Sequence, residues 1–236
     1  MTIQESKQKL QKEGYTWFEL PELNTEFYNW LLQFKCNDEV NIKDKIIGLR
    51  ADMINTKTND KTQYREDFES HSEANEKITE LFGLMSNNEV KSWQLWYFSD
   101  FYSAVKDEED RLKFQNYVKS LMMYFFDFDE TQEFTLFAPQ FTYYDVGCHL
   151  ENHSDGTGTG RVCALLIYLN ETYDEKDGGV LILNNEEKVI PTLGRVAIID
   201  LQTFDIPHMV TKVIDGPGRY ALLSFVKKKE NEFVDY

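Results

Sequence analysis

"RVCALLIYLNETYDEKDGGVLIL", residues 161–183, places two apolar runs on either side of an acidic turn and a glycine pair. Short apolar runs that are rich in valine, isoleucine, leucine and tyrosine and bounded by turn residues are typical of buried β-strands. The same pattern continues through the second half of the chain, where strands are predicted at 133–144, 161–170, 178–183, 187–190, 194–200, 206–214 and 219–227. Many short strands separated by turns predict an antiparallel sandwich or barrel.

The first 130 residues have a different, mostly helical pattern. Helices are predicted at 3–13, 24–35, 70–86 and 107–126. A strand is predicted at 15–20, and the polar, turn-rich residues 37–65 are predicted to form a loop. The sequence therefore predicts an α+β fold, in which a helix-rich part (1–130) packs on a mainly β core (131–230) that is followed by a short tail (231–236).

The composition indicates a globular chain with a strongly acidic surface. Its 236 residues are 42% hydrophobic and 14% aromatic, which is enough to bury a core. The 41 acidic and 25 basic residues give a formal net charge of −16, which repels phosphate backbones, so we expect no nucleic-acid partner. The dense basic run Lys227–Lys229 is followed directly by acidic residues and is predicted to be a solvated strand end.

The cysteines and the N-terminus bear on the cellular compartment. Cys36, Cys148 and Cys163 are widely spaced, odd in number and without a CxxC pair, which is typical of reduced thiols and predicts a cytoplasmic protein. The N-terminus lacks an apolar core region, and no window approaches the roughly 18 uninterrupted apolar residues of a membrane helix. We therefore predict neither a secretion signal nor a membrane span.

His153 and Asp155 form a His-x-Asp pair. On an extended backbone, residues two positions apart point to the same side, so both side chains can reach one ion. A non-haem iron(II) site needs a second imidazole from elsewhere while other coordination positions stay open. His208, within a predicted strand, can supply it.

Other side chains offer alternatives. His149 and Glu151 are also two positions apart. If residues 149, 151, 153 and 155 share one strand face, the reach of His208 decides which pair binds the ion. We favour His153 and Asp155. His71 lies in a polar segment and is assigned no role.

Arg219 opens the predicted strand that follows His208. A guanidinium there can pair bidentately with a dicarboxylate, which an ammonium group cannot do with the same geometry. Each signal alone has an ordinary interpretation. The His-x-Asp pair could belong to a polar loop in which Asp155 caps a turn. His208 could be a histidine with its hydrogen bonds satisfied in the core or in a turn, and Arg219 could be a surface charge at the start of a strand. The ordered set HxD, H and R on strand-patterned sequence is a stronger indication of a site than any of its parts.

Five motifs carry a resemblance to a known family: "YYDVGCHLENHSD", "RVCALLIYLNETYDEKDGGVLIL", "VIPTLGRVAIID", "PHMV" and "GRYALLSF". Together they make residues ~141–228 resemble the catalytic core of the iron(II)- and 2-oxoglutarate-dependent dioxygenases, specifically the prolyl-hydroxylase branch. The resemblance implies a double-stranded β-helix (jelly-roll) core. It also implies an enzyme that uses Fe(II), 2-oxoglutarate and O2, and it allows ascorbate as a reductant.

The resemblance also implies a role for individual residues. It makes His153, Asp155 and His208 the iron ligands, because the glycine-rich turn then follows the His-x-Asp pair in the same order as in the family. It makes Arg219 the partner of the distal carboxylate of 2-oxoglutarate. No catalytic acid or base is implied beyond the metal site.

Three further residues receive weaker assignments from the resemblance. Tyr168 would donate a hydroxyl hydrogen bond to the cosubstrate, and Tyr144 would line the same pocket. Arg161 falls where relatives place a basic residue near the substrate entrance, although a surface arginine at a strand start is an equally ordinary interpretation.

The sequence departs from its relatives at two positions after Arg219. Leu223 stands where relatives often carry a hydroxyl that helps to bind the carboxylate, and Ser224 is predicted to point to the opposite face. Phe225 stands where nucleic-acid demethylases of the superfamily carry a second arginine, which argues against DNA or RNA repair. Asp155 is intact, whereas halogenating relatives replace this carboxylate, so hydroxylation is favoured over halogenation.

These features predict a hydroxylase of an unactivated C–H bond, with a prolyl residue of a protein or peptide as the substrate. Collagen-type members usually carry lysine at the Arg219 position, so the chain is more similar to the oxygen-sensing and bacterial types. A hydroxylase of a free amino acid or small metabolite is the alternative. A non-catalytic barrel and a cupin-like metal protein without 2-oxoglutarate are less favoured, because all four site residues and the "YLN…GG" context are present.

Overall fold

The computed structural model describes residues 1–20, 24–34, 48–68, 71–87 and 90–229. Its helices are α1 (Ile3–Glu13), α2 (Thr25–Leu31), α3 (His71–Ser86), α4 (Phe101–Ala104) and α5 (Glu108–Phe125). Its strands are β1 (Tyr15–Glu19), β2 (Gly48–Asn55), β3 (Lys61–Asp67), β4 (Val90–Asp100), β5 (Phe134–Tyr144), β6 (His149–His153), β7 (Arg161–Tyr168), β8 (Leu181–Leu183), β9 (Glu187–Val189), β10 (Arg195–Asp200), β11 (His208–Val210) and β12 (Arg219–Lys228).

The twelve strands of the described residues form one antiparallel sheet. The order along it is β1-β10-β7-β12-β5-β4-β6-β11-β8-β9, and β2 joins β4 on one side and β3 on the other. The sheet curls into a nearly closed barrel, so that residues of β7, β10 and β12 line the same pocket as residues of β6, β8 and β11. The predicted jelly-roll core with supporting helices is confirmed.

The strand β7 lies at the centre of one wall of the barrel, between β10 and β12. All of its residues after Arg161 are buried, which explains its continuous apolar run. Cross-strand neighbours such as Ile167 and Leu222 fix its register. The apolar run at 178–183 contains the short strand β8 of the opposite wall, where Leu181 pairs with Val210 of β11.

The N-terminal helices begin and end at residues whose chemistry suits a helix end. Thr2 and Glu5 form a capping box at the start of α1, and Gly14 ends that helix with a left-handed backbone (φ 79°). The side chain of Asp107 accepts hydrogen bonds from two backbone N–H groups in the first turn of α5. All four predicted helices are confirmed.

The loop predicted at 37–65 is wrong where the structure describes it, since β2 and most of β3 lie there. Residues 37–47 lie outside the described part. The polar composition hid the alternation of β2, in which Ala51 and Met53 are buried on the core side. Long-range pairing with β4, which was not predicted either, stabilises the strand.

The N-terminal part of the chain therefore contributes strands as well as helices. β1 pairs with β10, and β4 pairs with both β5 and β6. The division at residue 130 stays a prediction, and the tail at 231–236 lies outside the described residues. Lys228 and Lys229 are exposed at the end of β12, as predicted.

The remaining predictions concern thiols and membrane helices. Cys148 and Cys163 are both buried, and burial raises the pKa of the Cys163 thiol. Cys36 lies outside the described residues. No helix in the described ranges has both the length and the apolar character needed to cross a membrane. The cytoplasmic location stays a prediction.

Candidate metal centre

Two histidines and one aspartate converge at one end of the barrel. His153 is the last residue of β6 and His208 is the first residue of β11, and these two residues are directly paired across the strands. Asp155 follows in the loop after β6. One potential ligand atom from each side chain lies within 4.8 Å of the other two, and this is the one such group of three found among the described residues.

The two imidazoles are oriented by main-chain carbonyls. His153 Nδ1 lies 3.0 Å from the carbonyl oxygen of Glu151, and His208 Nδ1 lies 3.0 Å from that of Ile206. Because a carbonyl can only accept, each Nδ1 carries the proton and each Nε2 presents a lone pair. These Nε2 atoms lie 4.0 Å and 3.8 Å from the carboxylate oxygens of Asp155.

The protonation state of His208 suits a ligand role. The side chain is 8% exposed, and its burial lowers the pKa of the imidazole. A lowered pKa favours the neutral imidazole, which is the form that binds a metal ion.

Arg161 contacts both the main chain and the side chain of Asp155. Its Nη2 donates to the main-chain oxygen of Asp155 at 2.6 Å, and its Nη1 lies 3.6 Å from the carboxylate. Its Nε donates to the hydroxyl of Thr159 at 2.9 Å, and the guanidinium lies 4.6 Å from the ring centroid of Phe225. The structure thus brings Arg161 to the carboxylate, while its predicted contact with substrate stays a prediction.

Arg219 is a buried cation without a carboxylate partner among the described residues. It is 1% exposed, and Nη2 donates to the hydroxyl of Tyr168 at 3.5 Å. The rings of Tyr144 and Tyr168 lie 4.7 Å and 5.1 Å from the guanidinium, and burial raises the pKa of both phenols, which keeps them neutral. The Nε atom is buried with no hydrogen-bond acceptor among the described atoms. A buried guanidinium with an unused donor calls for an anion.

One pocket connects the three-residue cluster to Arg219. It has a volume of about 710 Å³, including the part open to solvent. His153, His208, Tyr144 and Arg219 line it. Its remaining wall is largely apolar and includes Leu150, Ala164, Leu166, Leu181, Ile199, Val210, Leu223 and Phe225.

The alternative pair of metal ligands, His149 and Glu151, lies outside the three-residue cluster. The ring nitrogens of His149 lie 3.2 Å and 3.0 Å from the carbonyl oxygens of Gly147 and Ser92, and Glu151 is exposed. Neither belongs to a group of three metal-binding side chains among the described residues. Leu223 faces the pocket as expected, whereas Ser224 is fully buried and donates to the main-chain oxygen of Phe225.

Sequence reasoning missed the wall of the pocket that comes from β2 and β4. Arg50, Gln94 and Trp96 line it. The signal in the sequence was the alternation of "LRADM", where Arg50 and Asp52 share one strand face, but it lies in a segment interpreted as loop.

Comparison with known proteins agrees with this geometry. Residues 139–227 match the family model of the 2OG-Fe(II) oxygenase superfamily, which confirms the resemblance predicted from the sequence. Members of this superfamily use Fe(II), 2-oxoglutarate and O2, and residues 139–227 are similar to their oxygenase domain. No curated protein matches the chain.

Two solved structures share the fold. A prolyl-4-hydroxylase from Pseudomonas putida is 14% identical with a TM-score of 0.54, and the match covers 97% of this chain and 100% of that one. A prolyl hydroxylase from Trichoplax adhaerens, solved with a peptide fragment of the hypoxia inducible factor oxygen degradation domain, is 15% identical with a TM-score of 0.52. That match covers 94% of this chain and 87% of the other. At such identities the likeness concerns the fold.

Proposed function

We propose that this protein hydroxylates a prolyl residue of a peptide or protein, with His153, Asp155 and His208 as iron ligands and Arg219 as the anchor of 2-oxoglutarate. The observation that carries the proposal is the pairing of two features in one pocket. Three ligand atoms lie within 4.8 Å of one another, and a buried guanidinium without an acidic partner among the described residues lines the same pocket.

The donor set fits iron(II). Two imidazoles and one carboxylate on a single face are the ligands of non-haem iron(II) oxygenases, which keep other coordination positions open. When bound, the metal supplies the redox chemistry in which O2 is consumed, 2-oxoglutarate becomes succinate and CO2, and a substrate C–H becomes C–OH. The carbonyl groups of Glu151 and Ile206 favour the tautomer with the proton on Nδ1, in which the lone pair of Nε2 is directed to the metal position.

The surroundings of Arg219 fit the distal carboxylate of 2-oxoglutarate. A guanidinium offers a planar fork of donors, and Nε has no acceptor among the described atoms. A buried charge is tolerated when it is paired and hydrogen-bonded, so a bound carboxylate would relieve the desolvation of Arg219. The hydroxyl of Tyr168, which accepts from Nη2, is proposed to donate its own proton to the same carboxylate.

The apolar wall of the pocket is proposed to exclude water from the reacting atoms. Leu150, Leu166, Val210 and Leu223 surround the space between the three ligands and Arg219. Exclusion of water suppresses side reactions and strengthens the electrostatic contacts within the site.

The prolyl specificity rests on the sequence motifs and on the two prolyl hydroxylases that share the fold. A hydroxylase of a free amino acid or small metabolite is the second candidate, because a pocket of about 710 Å³ can admit a whole small substrate. A non-catalytic barrel is disfavoured, because none of His153, Asp155, His208 and Arg219 is replaced.

The test is formation of succinate with Fe(II) and 2-oxoglutarate across a panel of proline-containing peptides and free amino acids, with hydroxylated products identified by mass spectrometry. A hydroxyprolyl product in a peptide would support the proposal, and a hydroxylated free amino acid alone would support the second candidate. Absence of iron binding together with absence of succinate, coupled or uncoupled, would exclude the enzyme.

A further inference from the structure

The pocket has a second guanidinium, which comes from outside the region that matches the superfamily. Arg50 lies on β2, and it lines the pocket together with Gln94 and Trp96 of β4. The superfamily match begins at residue 139, so neither strand belongs to it. This wall therefore comes from strands that precede the matched region.

Asp52 holds Arg50 in place. Asp52 is 2% exposed, and its Oδ2 accepts from the side-chain amides of Gln94 and, at 3.5 Å, Gln63. The same oxygen lies 3.7 Å from Nη2 of Arg50. Because Arg50 and Asp52 are two positions apart on one strand, they project from the same face. Asp52 is thus a positioning group that fixes one edge of the guanidinium.

The other edge of the guanidinium is available to a ligand. The side chain of Arg50 is 35% exposed, and within the described part of the chain Asp52 is its one ionic partner. Its backbone lies opposite Trp96, whose ring stacks on Tyr144 at 5.8 Å. Burial raises the pKa of Tyr144, and the charges of Arg219 and Arg50 both oppose that rise. Both guanidiniums therefore act on the same tyrosine.

The two guanidiniums differ in how they meet solvent. The side chain of Arg219 is buried, whereas that of Arg50 is partly exposed. No carboxylate side chain belongs to the pocket lining among the described residues. In a chain with a net charge of −16, a pocket that presents two guanidinium groups favours anionic ligands over neutral ones.

We propose that Arg50 binds a carboxylate group of the primary substrate, while Arg219 holds the cosubstrate. This inference rests on the proposed function and specifies its substrate as a molecule with a carboxylate near the hydroxylated carbon. The carboxylate belongs either to a free amino acid or to a peptide, as its C-terminus or as an acidic side chain. Both sources present the same planar acceptor to the guanidinium fork.

The experiment compares wild type with Arg50→Gln and Arg50→Lys on matched substrates. The panel contains L-proline and L-prolinamide, a short peptide ending in proline with a free or amidated C-terminus, and an internal-proline peptide with aspartate or asparagine beside the proline. KM is measured separately for the primary substrate and for 2-oxoglutarate. Arg65→Gln is the control, because Arg65 pairs with Arg50 across the strands but is exposed.

Arg50→Gln is expected to raise KM for the carboxylate-bearing substrate by about 10- to 100-fold, the loss expected for a charge-assisted hydrogen bond. KM for 2-oxoglutarate is expected to change less than about twofold, since that interaction belongs to Arg219. Arg50→Lys is expected to recover part of the loss, and Arg65→Gln is expected to match wild type. The substrate whose KM rises most when its carboxylate is replaced by an amide identifies the source of the carboxylate.

Three outcomes would overturn the inference. Wild type could turn over amidated and carboxylate forms with equal KM, Arg50→Gln could leave KM for the primary substrate unchanged, or it could raise only KM for 2-oxoglutarate. If Arg50→Gln does not fold, Arg50→Lys and the amidation series answer the same question. Absence of succinate from wild type with every substrate would instead contradict the proposed function itself.

Discussion

The imidazoles of His153 and His208 face each other across the β6–β11 pair, with ring centroids 4.3 Å apart. Their residues are direct cross-strand partners, at the end of one strand and the start of the other. Antiparallel pairing brings such residues close because side chains directly opposite each other lie on the same face of the sheet. The position of Asp155, two residues beyond the end of the pair, then completes a three-residue cluster.

Removal of the carboxylate from this cluster is expected to abolish hydroxylation. In Asp155→Ala the two Nε2 atoms would keep their positions, but the anionic ligand would be lost, and with it the affinity for iron(II). The visible absorption of bound Co(II) measures the loss of metal affinity, and succinate formation measures the loss of activity. Glu151→Ala is the matched control, because Glu151 is exposed nearby and is expected to keep activity near wild type. Full activity in Asp155→Ala would disprove the ligand assignment.

Arg161 is expected to influence the metal site through Asp155. Arg161→Met removes the donor to the main-chain oxygen of Asp155 and the cation beside its carboxylate. We expect Co(II) affinity to fall by about 10- to 100-fold, as is typical when a group that orients a ligand is lost. Arg161→Lys keeps the charge, and its Co(II) affinity is expected to lie between those of wild type and Arg161→Met. A rise in the KM of the primary substrate with unchanged metal affinity would instead support a role at the substrate entrance.

Arg219 is expected to favour binding of 2-oxoglutarate without contributing to the stability of the ligand-free protein. Arg219→Met removes a buried cation that has no acidic partner among the described residues. Because burial of an unpaired charge is costly, we expect the free energy of unfolding in urea to fall by no more than about 1 kcal/mol, or to rise. KM for 2-oxoglutarate is expected to rise at least about tenfold.

Arg195→Met provides the comparison for that variant. Arg195 pairs with Glu19 at 2.6 Å and is not among the described residues that line the pocket, so KM for 2-oxoglutarate is expected to stay at the wild-type value. A large loss of stability in ligand-free Arg219→Met would mean that the protein itself satisfies the guanidinium.

Two glycines with similar backbone angles are expected to respond differently to alanine. Gly178 has φ +83°, and a Cβ there would overlap the main-chain carbonyl of Lys212. Gly158 has φ +76° but open space around it. Strain from the left-handed backbone affects both variants, by about 1 kcal/mol, whereas the backbone overlap affects Gly178→Ala alone. We expect Gly178→Ala to lose at least about 2 kcal/mol more than Gly158→Ala in urea denaturation. Equal losses would show that the segment around Gly178 moves freely.

Local sequence determines those features that depend on neighbours along the chain. The capping box of Thr2 and Glu5, the acidic first turn of α5 and the continuous apolar run of β7 each follow from residues within a few positions. The order of His153, Asp155, His208 and Arg219 on strand-patterned sequence likewise predicted the members of the cluster and the buried cation.

Tertiary structure decided which side chains meet. The polar segment of β2 is a strand because it pairs with β4, and no local pattern within residues 37–65 predicts that pairing. The contact of Arg161 with Asp155 depends on the path of the glycine-rich loop between them. Arg50 reaches the pocket only through the pairing of β2 with β4 and of β4 with β5 and β6. Residue type and spacing limit the chemistry that a chain can perform, whereas the free energy of long-range strand pairing selects which of its groups share one pocket.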